Sequence, residues 1–269
     1  MLEDGPIELV PDPPAPELPG TVVLRRDADA AMTALATDLL LQAKACARQF
    51  GSFHLALSGG STPMPMYRRL LYDPLFRDLP WRQTHVWMVD ERRVPHGDER
   101  SNFGEIGELL RDHSGIPAEQ LHAMPIEDDG DVQYERELRS VLEWRERGHD
   151  RLDFVVLGMG GELHTASLFP GSPAIEAPDD RLIALNDGPA VTPPPRITMT
   201  YTLLNASRSL AVLVTGAKKR PAVERLIAGG LSRQEAPILG IDPVGGELRW
   251  YIDHDACPGS EHRQAEISQ

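Results

Sequence analysis

The sequence has few cysteines, few aromatic residues and no long apolar run. Only two cysteines, Cys46 and Cys257, occur among the 269 residues, which disfavours a disulfide framework and gives no support to a thiolate metal site. No run approaches 18 consecutive apolar residues, and the N-terminus lacks the basic start and apolar stretch of a signal peptide. These absences indicate a soluble, cytoplasmic protein.

Positive charge is also scarce. Lys and Arg total 27 against 41 Asp and Glu, for a formal net charge of −14, and this excess of negative charge repels nucleic-acid phosphates and anionic lipid. The sequence therefore predicts neither nucleic acid nor a membrane as a partner. A small anionic substrate stays possible, because screening beyond about 10 Å leaves local cations and backbone amides to decide affinity. The nine histidines show no metal-ligand spacing, so no metal site is predicted.

The hydrophobic fraction of 41% with 25% charged residues is typical of a globular protein. Residues 1–20 are dense in proline and acid and predict a disordered tail, residues 259–269 predict a polar tail, and residues 21–258 are left as a single domain. Short apolar runs typical of buried parallel strands alternate with helical patterns. The runs are 21–24, Phe53–Leu57, 86–89, 154–157 and 210–214, and the helical patterns cover about 28–50 or begin at Pro63, Asn102, Asp131 and Ala217.

This alternation predicts βαβ units in a Rossmann-like three-layer α/β/α fold with a mainly parallel sheet. The runs 197–200 and 248–252 predict further strands, placed in a smaller antiparallel extension. The stretch 131–147 is strongly amphipathic. Its inward side chains are predicted to be Val132, Leu138, Val141, Leu142 and Trp144.

The loops after the buried runs are the places to seek chemistry, because sites in such sheets form at the carboxyl ends of parallel strands. The first, SGGSTP at 58–63, has the form of an anion cradle at a helix start, although an ordinary capped turn explains it equally well. The second, DERR at 90–93, gathers carboxylates and guanidinium groups, and the alternative is a solvated ion-paired loop. The fourth, TGAKK at 215–219, sets two ammonium groups at a helix start, where an anion would offset them.

The third loop, GMGGELHTASLFPG at 158–171, contains a candidate general base. His164 can exchange a proton near neutral pH, and Glu162 is close enough in sequence to orient it. The alternative is a hydrogen-bonded structural histidine. A nicotinamide cofactor is disfavoured, because a dinucleotide fingerprint would need its third glycine where Leu163 stands.

Taken together, LSGGSTP, VDERRVP with the following Ser101-Asn102, the histidine loop, RITMT at 196–200 and VTGAKK resemble the 6-phosphogluconolactonase family. The order and spacing match over about residues 21–256. The resemblance implies the isomerase/CoA-transferase-like fold that the family shares with glucosamine-6-phosphate deaminases. It also implies hydrolysis of 6-phospho-D-glucono-1,5-lactone in the oxidative pentose phosphate pathway, without metal or organic cofactor.

The resemblance implies roles for individual residues. His164 matches the catalytic histidine that deprotonates water, with Glu162 beside it, and Arg92 would stabilise the oxyanion or hold the substrate next to Asp90. The remaining candidates would contact phosphate or lactone oxygens, namely Ser58, Gly59, Gly60, Ser61, Thr62, Arg196 and Lys219.

One departure from the family concerns the residues before His164. The family usually has Asp-Gly where this chain has Glu162-Leu163, and leucine enters a glycine-like backbone conformation only at a cost of about 1–2 kcal/mol. If the loop keeps the family path, Leu163→Gly should relieve that strain and preserve activity; if the loop buries Leu163 on a new path, the change should lower activity and stability. Two alternatives stay open: a 6-phosphosugar deaminase or isomerase using Asp90 and Glu162, or a non-catalytic sugar-phosphate-binding protein. A monomer or weak homo-oligomer is expected.

Overall fold

The computed structural model describes residues 13–142 and 150–259. The helices are α1 (Ala28–Phe50), α2 (Met64–Tyr72), α3 (Asn102–His113), α4 (Gly130–Leu142), α5 (Tyr201–Ala206) and α6 (Arg220–Ala228). The strands are β1 (Thr21–Arg25), β2 (Phe53–Leu57), β3 (Thr84–Met88), β4 (Asp90–Arg92), β5 (Leu121–His122), β6 (Phe154–Gly158), β7 (Ile183–Asn186), β8 (Arg196–Met199), β9 (Ser209–Val214) and β10 (Glu247–Asp253).

Local sequence explains why the first helix and the central strand form where they do. Helix α1 begins after Asp27, whose carboxylate accepts from Ala30 N at 2.7 Å, and it ends at Gly51 in the left-handed conformation. Strand β2 is buried at every position, as expected for a parallel strand that is covered on both faces. The predicted bounds of both elements agree with the structure.

Within the described residues, seven strands form a parallel sheet in the order β1-β10-β9-β6-β2-β3-β5. The predicted α/β fold with a mainly parallel sheet is therefore confirmed. The prediction for 248–252 is wrong in one respect: β10 lies inside the main sheet, between β1 and β9, and not in the extension. Its pairing partners lie far along the chain, so the short apolar run alone could not indicate its sheet.

A three-stranded antiparallel sheet, β4-β8-β7, sits at the carboxyl edge of the main sheet. The chain changes sheets at Val89, whose amide donates to Leu57 O of β2 and whose carbonyl accepts from Met199 N of β8. The predicted extension is thus present, and it holds the DERR segment directly above the ends of the central strands.

Three other details differ from the sequence predictions. Val132 is 43% exposed, and Tyr134 lies in the core in its place, while Trp144 falls outside the described residues. The chain after β9 passes through a 3-10 turn, Ala217–Lys219, before α6 begins. In the predicted tail, residues 13–20 pack on the domain: the Trp250 indole donates to Pro19 O at 2.7 Å. No helix of the described residues is long and apolar enough to cross a membrane.

Candidate active site

A cleft of about 240 Å³ opens at the carboxyl edge of the parallel sheet, where β2, β6 and β9 end. Ligands bind at this edge in sheets of this type. Glu162 lies beside the cleft without lining it, and the other predicted site residues all line it: Ser58, Gly59, Gly60, Ser61, Thr62, Asp90, Arg92, His164, Arg196 and Lys219.

A tight turn in the loop after β6 presents His164 to the cleft. Leu163 N donates to Gly160 O at 3.0 Å, and Gly160 N donates to His164 O at 2.9 Å. The imidazole lies against the Gly160 backbone, where an added Cβ would be 2.1 Å from Nδ1. A side chain at Gly160 would therefore displace the imidazole.

Glu162 lies beside Nδ1 of His164. Its Oε1 is 2.9 Å from that atom, but Nδ1 has no well-aligned hydrogen-bond partner within the described chain, so the contact is mainly electrostatic. Burial raises the pKa of Glu162, but its own backbone amide and a charged His164 lower that pKa by more. The net pKa of Glu162 therefore lies below its usual value. With Nδ1 buried against Glu162, Nε2 is the ring nitrogen left to exchange a proton in the cleft.

The SGGSTP loop joins β2 to α2 and lines the cleft. Gly60 has a φ of 98°, a conformation that favours glycine. No side chain of the described residues caps the start of α2, so the positive helix end and the hydroxyls of Ser61 and Thr62 are available to an anion.

The small sheet places two arginines side by side at the cleft. Arg92 and Arg196 are register partners on the antiparallel strands β4 and β8, and like charges directly opposite each other are destabilising. The Arg196 guanidinium donates to Pro194 O at 3.0 Å and Thr192 O at 3.1 Å. Burial lowers its pKa, while Asp90 opposes that shift. An anion bound between the two guanidinium groups would relieve their repulsion.

Two of the predicted site residues use their side chains to join the walls of the cleft. Asp90 Oδ2 accepts from Ser167 Oγ at 2.5 Å, which ties β4 to the histidine loop. Ser58 Oγ donates to Val156 O of β6 at 2.8 Å. Both hydrogen bonds hold the segments that form the walls of the cleft together.

Lys219 extends into the cleft from the 3-10 turn after β9. Gly216, at φ 87°, opens that turn, and its amide donates to both carboxylate oxygens of Asp253 at 3.0 Å. The Lys219 ammonium donates to Met159 O at 2.6 Å. Burial lowers the pKa of Lys219, with Glu162 acting in the opposite direction. A partly desolvated ammonium of this kind would interact strongly with an incoming anion.

The family model described as glucosamine-6-phosphate isomerases/6-phosphogluconolactonase matches residues 26–250. The chain belongs to this family. The GDH/6PGL endoplasmic bifunctional protein of Homo sapiens is 36% identical over 277 residues. That match covers 96% of this chain, which spans about a third (34%) of the human relative's length.

Two shorter proteins are covered almost completely. The 6-phosphogluconolactonase of Nostoc sp. is 36% identical over 95% of this chain and 97% of its own length. The crystal structure of 6-phosphogluconolactonase from Thermotoga maritima superposes with a TM-score of 0.70 at 26% identity, and covers 87% of this chain and 99% of that one. The family resemblance and the fold inferred from the motifs are confirmed.

The departure from the family pattern before His164 is accommodated in an unexpected way. Leu163 has a φ of 73°, so the backbone keeps the conformation that a glycine would adopt. Its side chain is nevertheless fully buried, and its carbonyl accepts from Ile238 N at 3.1 Å. A glycine-like backbone and a buried leucine, which are alternatives in the prediction from sequence, therefore occur together, with His164 still in the cleft.

Glu91 and Asn102 are not among the site residues predicted from the sequence. Asn102 lines the cleft and its Oδ1 accepts from Arg92 Nη1 at 2.7 Å, while Glu91 is completely buried behind it. The sequence signal that could have indicated them is the Ser101-Asn102 pair. Ser101 caps the helix that follows the DERR segment, and Asn102 is the first residue of that helix. No group of His, Cys, Asp or Glu in the described parts of the chain is arranged to hold a metal ion.

Proposed function

We propose that this protein hydrolyses 6-phospho-D-glucono-1,5-lactone to 6-phosphogluconate in the oxidative pentose phosphate pathway. The observation that carries the proposal is His164, with Glu162 2.9 Å from Nδ1, in a cleft that also contains Arg92, Arg196 and Lys219. Hydrolysis of a phosphorylated lactone requires a general base, a cation that stabilises the oxyanion, and hydrogen-bond donors that bind the phosphate. Names of relatives covered almost completely by this chain support the same reading.

In the proposed reaction, Nε2 of His164 removes a proton from water as the water oxygen bonds to the lactone carbonyl carbon. The carbonyl π electrons move to oxygen, and Arg92 stabilises the resulting oxyanion. When the intermediate collapses, the ring C–O bond breaks and the leaving oxygen takes the proton back from the imidazolium. Glu162, ionised because of its lowered pKa, stabilises the imidazolium between these steps. The carboxylic acid that is formed loses its proton to solvent, which gives the carboxylate of 6-phosphogluconate.

The phosphate is assigned to the wall formed by the SGGSTP loop and Lys219, with Arg196 as a further cation. A helix start without a side-chain cap, the hydroxyls of Ser61 and Thr62 and a half-buried ammonium are a typical phosphate-binding set.

The direct test is to follow loss of the phosphorylated lactone by NMR with purified protein, subtracting spontaneous hydrolysis in enzyme-free buffer. A catalysed rate well above the spontaneous one is expected. No acceleration at micromolar protein would reject the proposal, and binding of 6-phosphogluconate without turnover would favour a non-catalytic sugar-phosphate-binding protein.

The deaminase or isomerase alternative is less well supported by the geometry. It needs Asp90 and Glu162 as proton-transfer groups, yet Asp90 accepts from Ser167 at 2.5 Å and Glu162 does not line the cleft. The non-catalytic alternative is weakened by the position of His164, which the left-handed Leu163 keeps facing the cleft.

Replacing Lys219 by alanine should raise KM for the phosphorylated lactone by about 10- to 100-fold with a smaller effect on kcat. The reason is that a charge-assisted phosphate contact contributes about 1.5–3 kcal/mol and binds ground and transition states alike. Lys218→Ala is the matched control, since Lys218 lies in the same turn but is exposed. Steady-state kinetics with phosphorylated and unphosphorylated gluconolactone measure the effect. An equal loss with both lactones would contradict the phosphate assignment.

We also propose that the protein acts in the cytoplasm as a monomer or weak homo-oligomer, without nucleic acid or membrane as a partner. The net charge of −14 supports the part that concerns nucleic acid and membranes, because it repels polyanionic surfaces. Its substrate carries negative charge too, and the cations gathered in the cleft offset the long-range repulsion locally.

A further inference from the structure

Glu91 is a buried carboxylate whose described hydrogen bonds come from uncharged donors. Oε1 accepts from the amides of Arg92 at 2.7 Å and Asn102 at 2.8 Å, and Oε2 accepts from Ser101 Oγ at 2.9 Å and Phe103 N at 2.7 Å. Its side chain is fully buried, where a carboxylate without partners would be very costly. Three of these donors belong to the start of α3, whose positive end also favours the charge. Glu91 therefore fixes the first turn of α3 onto β4.

Asn102 links the start of α3 to the cleft. It is the first residue of α3 and only 3% exposed. Its Nδ2 donates to Asp90 O at 2.9 Å, and its Oδ1 accepts from Arg92 Nη1 at 2.7 Å. Gly59 lies against this carboxamide so closely that an added Cβ would be 1.8 Å from Oδ1. The carboxamide is thus held between two loops and directed at the Arg92 guanidinium.

Arg92 depends on this support for its direction. The other described contact of its guanidinium is with Arg100 O at 2.8 Å, and no carboxylate in the described chain forms an ion pair with it. A guanidinium aimed by carbonyl oxygens keeps its full charge for a ligand, whereas a carboxylate partner would neutralise it. The arrangement suits a group that must meet a developing negative charge at a fixed place.

We infer that Glu91 and Asn102 are positioning residues for the proposed hydrolysis, acting through Arg92. Glu91 fixes the start of α3, and Asn102 transmits that position to the guanidinium. This inference rests on the proposed function of Arg92. It predicts that the two residues matter for turnover only as long as the guanidinium is present.

A double-mutant cycle tests this coupling. Asn102→Ala should lower kcat/KM by about 10- to 100-fold in the parent protein, but by less than threefold in an Arg92→Ala background, because contacting residues that act as a unit are not additive. The same cycle is run on the dissociation constant of 6-phosphogluconate by calorimetry, which needs no turnover. Equal effects of Asn102→Ala in both backgrounds, in kinetics and in binding, would overturn the inference.

The matched control is Asn205→Ala. Like Asn102, Asn205 uses both ends of its carboxamide, donating to Gly240 O and accepting from Asp242 N at 2.9 Å, but both partners are backbone groups and Asn205 is not among the residues that line the cleft. This variant should lower the unfolding midpoint as much as Asn102→Ala does and leave kcat/KM within twofold. A comparable kinetic loss would show that the Asn102 effect is only a general loss of stability.

Glu91→Gln tests the role of Glu91, the buried residue in the series of contacts that runs from Glu91 through Asn102 to Arg92. One carboxylate oxygen becomes an amide donor facing backbone N–H groups, so kcat should fall more than KM rises. If this variant does not fold, a crystal structure of Asn102→Ala decides the question without any activity measurement. Displacement or disorder of the Arg92 guanidinium is expected, and an unchanged guanidinium would overturn the inference. A parent protein that does not hydrolyse the lactone would reject the proposed function alone.

Discussion

Replacing His164 by alanine should lower kcat for the phosphorylated lactone by about 10²- to 10⁴-fold and leave the dissociation constant of 6-phosphogluconate within threefold. A positioned imidazole base contributes about this factor. The loop should survive the change because other contacts fix it: Thr165 Oγ1 donates to Gly158 O at 2.9 Å and Ser167 Oγ to Asp90 at 2.5 Å. NMR measurement of lactone loss and calorimetry with the product provide the two readouts.

His113→Ala is the control for this prediction, because His113 is exposed at the end of α3 and is not among the residues that line the cleft. It should behave as the parent protein. Near-normal turnover of His164→Ala would reject His164 as the base, and loss of product binding in the same variant would instead assign the imidazole to substrate binding.

Glu162→Gln adds a pH dependence whose sign follows from the structure. The pKa of Glu162 lies below its usual value, so the carboxylate stays ionised above that pKa and loses its charge only as the pH falls through it. The variant should therefore be slower, by about 10-fold, across the whole neutral and mildly acidic range, because an electrostatic partner of the imidazolium is missing throughout. A pH–rate profile checks this. A rate within twofold of the parent's at neutral pH would show that Glu162 does not assist the imidazolium.

Leu163→Gly should destabilise the protein by about 2–4 kcal/mol while preserving kcat at low temperature. Glycine relieves about 1 kcal/mol of strain at φ 73°, but loss of a fully buried leucine costs about 2–5 kcal/mol, and unfolded-state entropy adds to that loss. The expectation from sequence that the change relieves strain thus holds for the backbone alone. Denaturant unfolding and steady-state kinetics below the transition measure the two effects separately.

Leu163→Ala is the discriminating comparison. Alanine removes most of the buried side chain but keeps the strain of a left-handed backbone, so it should be less stable than Leu163→Gly by about 1 kcal/mol. The reverse order of stability would show that residue 163 does not have a positive φ in solution.

Local patterns predict most of the strands and helices and the four loops that line the cleft, but they miss the short strands β4, β5 and β7 and the short helix α5. Apolar runs such as Phe53–Leu57 and the capped, periodic helix Ala28–Phe50 are local signals, so their bounds could be read without a partner. The loops could be located for the same reason, because each follows directly on a buried strand. His164, the SGGSTP loop and Lys219 were found in this way, and all of them line one cleft.

Which loops meet and which side chains interact depends on contacts between residues far apart in the chain. Strand pairing is non-local, which is why β10 belongs to the main sheet and why Arg92 and Arg196 become cross-strand neighbours. Burial is also non-local: the same DERR run that gives a cation to the cleft turns Glu91 inward onto the start of α3. Leu163 shows a local and a non-local effect at one residue. Its backbone conformation follows from the turn, whereas the burial of its side chain depends on elements elsewhere in the chain.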